Sequence, residues 1–146
     1  MNNRSRKPNH AGISLVELMI TIAILSILVA IAIPLYDGYI REGHLVSIRS
    51  TIGSMRTQIE DFRLDNGNYG ATGNLADAGA IMSRYGWDPT SDLSAYTYTM
   101  AVSSNSYDVW GVFDANSAIW VRCDDRMSNC CDPDTPSATA ATNACP

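Results

Sequence analysis

One acidic residue stands inside the most apolar stretch of the sequence. Between Ile13 and Tyr36 the only charged side chain is Glu17, and sixteen uncharged residues follow it directly. A carboxylate in an apolar segment costs free energy unless a cation compensates it or it reaches water. Cleavage after Gly12 would create such a cation, because the new amino group of Ile13 would lie only four residues away. The pairing of this amine with Glu17 is the first chemistry that the sequence suggests.

Four cysteines crowd the last 24 residues, at positions Cys123, Cys130, Cys131 and Cys145. Such crowding in a small exported domain predicts two disulfides formed in an oxidising compartment. Three pairings are possible, and the one joining the adjacent Cys130 and Cys131 is discounted because it strains the intervening backbone. The other two pairings stay open. The spacings do not resemble those of a zinc site.

Four aspartates, Asp124, Asp125, Asp132 and Asp134, lie in the same C-terminal segment. Carboxylate oxygens are ligands that calcium prefers. The spacing of an EF-hand is missing, so a solvated acidic loop is the favoured interpretation and calcium the alternative. No cofactor is expected.

The sequence contains no recognisable catalytic set. His10 precedes the apolar stretch, and His44 stands alone on a predicted helix. No Ser-His-Asp or Cys-His arrangement, glycine-rich phosphate loop or H-E-x-x-H motif is present. The sequence therefore predicts a protein that is not an enzyme.

The apolar stretch is long enough to cross a bilayer, which takes about 20 residues at 1.5 Å per residue. It is apolar on every side, which disfavours a helix in the core of so short a chain. Arg4, Arg6 and Lys7 precede it, so the N-terminus is expected to stay cytoplasmic while the rest crosses. Without its first twelve residues the chain has seven arginines and fifteen acids, a net charge of −8. Such a charge disfavours nucleic acid as the main partner.

The residues from Gly12 to Met19 (GISLVELM) resemble the cleavage motif of type IV pilins and of the pseudopilins of type II secretion. The resemblance covers roughly residues 1–40. It implies that a prepilin peptidase cuts after Gly12 and methylates the amine of Ile13, where the family usually has phenylalanine. Glu17 matches the glutamate that the family has at the fifth residue of the mature chain, and Pro34 matches its helix-interrupting proline.

The resemblance also gives these residues roles in a filament. The amine of an incoming subunit would meet Glu17 of its neighbour, and this would set the axial register. Pro34 has no amide hydrogen and its ring crowds the preceding turn, so a kink or loosened turn is expected between about Ser26 and Pro34.

The helix is predicted to continue beyond the apolar stretch as an amphipathic segment that ends at Asn66-Gly67. Its apolar residues recur at spacings of three and four and form one face: Leu45, Ile48, Ile52, Met55, Ile59 and Phe62. Four arginines form a second stripe: Arg41, Arg49, Arg56 and Arg63. We expect this stripe to pair with acids such as Glu60 and the aspartates of the head, and a DNA-binding stripe is the alternative.

Three strands are predicted after a loop rich in Gly, Asn, Asp and Ala: Ala95–Val102, Ser106–Phe113 and Ala118–Cys123. The short turns between them predict an antiparallel meander, and the apolar helical face would cover it. The predicted organisation is a basic leader (1–12), a transmembrane or filament-core helix (13–36), an amphipathic helix (37–66), a loop (67–94), an antiparallel sheet (95–123) and a disulfide-rich C-terminal loop (124–146).

The fold class is therefore α+β, a long N-terminal helix packed on an antiparallel sheet with a disulfide-bonded C-terminal loop. The resemblance implies a structural pilin that polymerises into a type IV pilus for adhesion, twitching motility or DNA uptake. The alternatives are a minor pilin that acts as a DNA receptor and a type II secretion pseudopilin. The implied partners are other copies of the chain, the prepilin peptidase, the pilus assembly platform and the bacterial inner membrane, from which the subunit passes to the extracellular pilus.

Overall fold

The computed structural model describes residues 12–89, 92–126 and 130–134. It contains two helices and five strands: α1 (Leu15–Asn66), β1 (Gly73–Leu75), α2 (Ala78–Tyr85), β2 (Tyr96–Val102), β3 (Tyr107–Phe113), β4 (Trp120–Asp124) and β5 (Cys130–Cys131). The chain divides between Tyr39 and Ile40 into two compact units, an N-terminal unit and the head unit. Helix α1 contributes to both.

Helix α1 ends where the sequence predicts. Gly67 adopts a left-handed conformation with φ of 76°, and its backbone N–H donates to the carbonyl of Arg63 over 2.7 Å. This geometry satisfies one of the last carbonyl groups of the helix, and glycine adopts it without steric cost. The predicted stop at Asn66-Gly67 is confirmed.

Pro34 does not interrupt the helix. Residues on both sides of it remain α-helical, and α1 is a single helix of 52 residues. The loosened turn expected between Ser26 and Pro34 is not seen in the single chain, and the alternative of a kink there stays a prediction. A proline removes one hydrogen bond of the helical ladder, and the neighbouring residues retain theirs.

The sheet is antiparallel throughout, with its strands in the order β1-β2-β3-β4-β5. The three long strands lie within two residues of their predicted bounds at each end, and the meander is confirmed. Tyr96 pairs with Phe113 and Val102 with Tyr107, so β2 and β3 form a hairpin in register over their whole length. Strands β1 and β5 extend the sheet on both sides of the predicted range.

The segment predicted as a loop, residues 67–94, contains β1 and α2. Helix α2 begins where the side chain of Asp77 accepts a hydrogen bond of 2.8 Å from the backbone N–H of Ala80, and it ends at Gly86, which is left-handed with φ of 68°. Both residues are standard signals for helix ends. Strand β1 is only three residues long and pairs with the end of β2.

The core of the head unit lies between one face of α1 and one face of the sheet. The predicted helical stripe is buried except for Phe62, which is partly buried, and it packs with Tyr98, Met100 and Val109. A Cβ atom built at Gly111 would lie 2.3 Å from Cγ2 of Ile48, so the helix approaches β3 closely at this glycine. The prediction that α1 covers the sheet is confirmed.

Candidate assembly surface

The N-terminal half of α1 presents an uncovered apolar surface. All residues from 12 to 40 are exposed, and the large apolar side chains between Ile13 and Tyr39 expose at least 50% of their area. The helix contains an 18-residue window with a mean hydropathy of 2.8, and by length and composition α1 can cross a membrane. Soluble monomers rarely expose apolar patches of this size, which mark membrane or protein contacts.

The two aliphatic hydroxyl groups in this half of the helix, those of Thr21 and Ser26, are satisfied locally. Thr21 Oγ1 donates to the carbonyl of Leu18 over 2.8 Å, and Ser26 Oγ donates to the carbonyl of Ile22 over 2.7 Å. Neither hydroxyl needs a partner outside the helix. Between Ile13 and Tyr36, Glu17 is the only charged side chain in this surface.

Glu17 lies in the first turn of α1, close to the predicted cleavage bond between Gly12 and Ile13. The backbone N–H of Leu18 donates to the carbonyl of Ser14 over 3.1 Å, which marks the start of the helical ladder. Glu17 is exposed and forms no ion pair with any residue in the described ranges. Its negative charge is favourable at this end of the helix dipole. Nothing in the described ranges compensates this carboxylate, which can therefore pair with a cation from elsewhere.

The arginine stripe pairs with acids of the head unit, as predicted. Arg41 Nη1 lies 2.6 Å from Asp134 Oδ2, and Arg49 pairs with Asp132. Within the helix, Arg63 Nη1 lies 3.7 Å from Glu60 Oε2. The remaining member, Arg56, forms no ion pair with a described residue.

The two aspartates that follow β5 are therefore anchors on α1. Asp132 is buried, and its Oδ1 accepts a hydrogen bond of 2.9 Å from the backbone N–H of Asp134. The hydrogen bond from the guanidinium of Arg41 lowers the pKa of the exposed Asp134, and the same bond raises the pKa of Arg41. We name the two pairs, Arg41–Asp134 and Arg49–Asp132, the arginine clasp.

The four aspartates singled out for calcium do not gather into a metal site. Asp132 and Asp134 face arginines, and Asp124 Oδ1 accepts a hydrogen bond of 3.1 Å from the backbone N–H of Arg126. Across the described ranges, no three His, Cys, Asp or Glu side chains group in a way that could hold a metal ion.

A disulfide joins Cys123 of β4 to Cys130 of β5, which are paired residues in the sheet with their Cα atoms 4.1 Å apart. Cys131 is also disulfide-bonded, so the discounted bond between adjacent cysteines is not formed. Cys145 lies outside the described residues. The clasp begins directly after β5, so the disulfide and the ion pairs fix the same short segment.

Tyr69 fixes the chain where it leaves α1. Its buried hydroxyl accepts a hydrogen bond of 2.9 Å from Arg63 Nη1 and donates one of 3.1 Å to Glu60 Oε1. The hydroxyl of Tyr85 donates to the carbonyl of Tyr69 over 2.9 Å. Burial is the main cause that raises the pKa of Tyr69.

His44 has a structural environment. Its ring stacks on Phe113 with centroids 3.8 Å apart, and Nδ1 lies 2.9 Å from the hydroxyl of Tyr96. No acid or nucleophile completes a catalytic arrangement with it among the contacts of the described residues.

Comparison with known proteins gives a match at the N-terminus. Residues 7–33 match the family described as the prokaryotic N-terminal methylation motif. This range contains the predicted cleavage bond after Gly12, and it also contains Glu17.

Similar proteins include fimbrial proteins of several bacteria. The chain is 50% identical to the type IV major fimbrial protein FimA of Dichelobacter nodosus over 54 residues, which are 37% of this chain and 35% of that protein. It is 41% identical to the prepilin peptidase-dependent protein D of Escherichia coli (strain K12) over 56 residues, 38% of each chain. The alignments thus span about a third of the length of these relatives.

A longer alignment reaches into the head. The chain is 26% identical to a fimbrial protein of Neisseria meningitidis (serogroup A, serotype 4A) over 137 residues, 90% of this chain and 79% of that protein. No solved structure matches the chain. The methylation motif and the similarity to type IV fimbrial proteins together support the recognition of this chain as a type IV pilin.

Proposed function

We propose that the chain is a precursor that is cut after Gly12 and polymerises through the apolar half of α1. One observation carries the proposal: between Ile13 and Tyr36 the exposed apolar helix contains one carboxylate, which pairs with no described residue and lies four residues from the new amine that cleavage would create. A bilayer would cover this surface before assembly, and other copies of the same helix would cover it in the filament.

Glu17 is the residue proposed to guide polymerisation. In a bundle of apolar helices an unpaired carboxylate is costly, and the amine of Ile13 from an incoming subunit compensates it. This pairing is specific to one axial offset between neighbours. Pro34 is proposed to loosen the helix only after assembly, since α1 is continuous in the single chain.

The proposed course begins in the bacterial inner membrane and ends at the cell surface. The prepilin peptidase removes the leader and methylates Ile13, and the assembly platform adds the subunit to a filament of identical copies. The head unit is proposed to be displayed on the filament, where adhesion, twitching motility or DNA uptake would use it. The similar proteins are fimbrial subunits, and we propose no enzymatic activity for this chain.

A role as a DNA receptor has less support. Three of the four arginines in the stripe already face acids, so few basic groups remain for phosphates. A gel shift of the purified filament with random-sequence DNA would separate the roles, and salt-sensitive binding would favour the receptor. No observation favours the type II secretion pseudopilin.

The test of assembly is Glu17→Gln, which keeps the size of the side chain and removes its charge. The matched control is Thr21→Val, which removes a nearby hydroxyl group that already donates to a carbonyl of its own helix. We expect mass spectrometry to find both variants processed to begin at Ile13. We expect Glu17→Gln to reduce sheared surface filaments at least about tenfold, the equivalent of about 1.4 kcal/mol. Normal filaments from Glu17→Gln would refute the proposed role.

A further inference from the structure

A groove of about 400 Å³ opens at the edge of the sheet where β1 ends. Strand β1 pairs only with residues 100–102 of β2, so the first half of β2 has a described strand, β3, on one side and none on the β1 side. The groove is lined by Asn74, Leu75, Ala76, Thr99, Trp110 and Val112, among others. Thr99, Trp110 and Val112 alternate with residues that face α1, so their side chains lie on the opposite face of the sheet.

The indole ring of Trp110 is held from one side. The guanidinium carbon of Arg122 lies 4.9 Å from the ring centroid, and Arg122 Nη2 lies 3.2 Å from Asp108 Oδ2. In the sheet, Trp110 stands between Arg122 of β4 and Thr99 of β2. Arg122 therefore stacks from the β4 side, and the groove lies on the β2 side. A ring fixed in advance in this way loses little conformational freedom when a ligand binds.

The lining combines apolar area with two available polar groups. Leu75, Val112 and the ring of Trp110 supply the apolar part. The hydroxyl of Thr99 and the exposed amide of Asn74 form no hydrogen bond within the described part of the chain, so both can bond a ligand. Among the residues that the structure describes, no charged side chain lines the groove, and the nearby Arg122 is paired with Asp108.

This chemistry selects the class of ligand. A phosphate, sulfate or carboxylate would lose its hydration without a compensating charge. A neutral sugar ring fits, because its C–H face packs on an aromatic ring while its hydroxyl groups bond an amide and a hydroxyl. Pockets of 300–1,000 Å³ with apolar walls and a few polar groups are typical of small-ligand sites.

We propose that this groove binds a neutral saccharide, which stacks on Trp110 and bonds Thr99 and Asn74. Binding does not require polymerisation, and only its use in attachment to surfaces depends on the proposed function. On a filament, many identical weak sites would act together through avidity.

The test uses the full chain in micelles of a detergent without a sugar headgroup. The chain is applied to an array of neutral and sialylated glycans, and the strongest ligand is then titrated by calorimetry. We expect neutral glycans to be bound selectively, and Thr99→Val to weaken binding roughly three- to tenfold by removing one hydrogen bond. Thr97→Val is the matched control, because Thr97 is on the same strand and face but instead bonds Asp114 over 2.7 Å. It should change affinity less than about twofold.

A second variant tests the groove without changing the ring of Trp110. Ala76→Phe fills the groove from an exposed position and leaves Trp110 in place, and it should abolish binding while circular dichroism stays unchanged. Absence of neutral-glycan binding, preference for sialylated glycans, or binding indifferent to Thr99→Val and Ala76→Phe would each overturn the inference. If wild-type filaments form normally in that case, the proposed function stands. If the chain binds no glycan and Ala76→Phe stops polymerisation, the groove is instead a contact between subunits.

Discussion

The two halves of α1 have the same secondary structure and opposite surroundings. In the N-terminal half the large apolar side chains are at least half exposed, whereas Ile48, Ile52 and Ile59 in the second half expose 1% or less. The difference comes from the spacing of the apolar residues along the helix. Apolar residues occupy every face of the first half, but they follow spacings of three and four in the second. One helix thus has two partners, the sheet of its own head and an environment that the single chain does not supply.

The polar residues of the two halves differ in the same way. Thr21 and Ser26 donate to carbonyls of their own helix, so they leave no unsatisfied hydroxyl group in the apolar surface. Arg41 and Arg49 instead reach across to the segment after β5. The first half is built to present apolar area, and the second is tied to the head through both its apolar and its charged stripes.

The sharpest comparison of the halves uses one substitution at two positions. Ile52→Ala should lower the free energy of unfolding of the head by about 2–5 kcal/mol, because it opens a cavity in the core. Ile27→Ala, at a side chain that is 64% exposed, should change it by less than about 0.5 kcal/mol. Urea unfolding of the full chain in detergent is followed by tryptophan fluorescence, since Trp87 Nε1 donates to Ser54 Oγ of α1. Equal losses would refute the division of α1 into these two halves.

The close approach of α1 to the sheet can be tested at Gly111. Its Cβ would collide with Ile48, so Gly111→Ala should destabilise the head by about 1–3 kcal/mol through overpacking. Gly43→Ala is the control. Gly43 lies on the exposed side of α1, where a Cβ would meet nothing within 4 Å. This substitution should stabilise by up to about 1 kcal/mol through helix propensity. The same urea titration measures both, and a neutral Gly111→Ala would mean that the helix is not packed so closely.

The arginine clasp should contribute less than the apolar core. Arg49→Ala removes one ion pair of the buried Asp132 and should cost about 1 kcal/mol, a value reduced by the exposure of the arginine. Arg56→Ala removes the same side chain from the same stripe without breaking a described ion pair, and it should be nearly neutral. A larger loss from Arg56→Ala in chemical denaturation would contradict the assignment.

The smallest effect concerns pH. Because Arg41 lowers the pKa of Asp134 in the folded chain, the pair stabilises the fold above the ordinary aspartate pKa of about 4. This contribution is lost as the pH falls through the lowered pKa. Between about pH 5 and pH 2, wild type should therefore lose more stability than Arg41→Ala, measured as the shift of the urea midpoint. Parallel pH profiles would show that the exposed pair contributes nothing.

Most of the architecture could be predicted because it rests on long periodic segments. The end of α1 at Asn66, the buried helical face and the three long strands all follow from patterns that span five residues or more. Strand β1 and α2 were missed because they are short and lie in a segment rich in Gly and Ala. Strand β5 has two residues and is defined only by pairing with β4.

For contacts between distant parts of the chain, the sequence could predict the type of contact but not the partner residues. The arginine stripe indicated partners among the aspartates, but the choice of Asp132 and Asp134 depends on where β5 ends. The disulfide between Cys123 and Cys130 likewise depends on the register of β4 and β5. The roles of Gly12, Ile13, Glu17 and Pro34 rest on contacts with an enzyme or with other copies, and they stay predictions.

Gly70 links two segments in a way that constrains how this sequence can change. It is left-handed with φ of 95°, and the guanidinium of Arg84 occupies the space of its missing Cβ while donating to the carbonyl of Ala71 over 2.7 Å. A proline at this position would need φ near −65°. Positions 70 and 84 should therefore covary: a homologue with proline after this tyrosine must route its backbone differently and release the arginine.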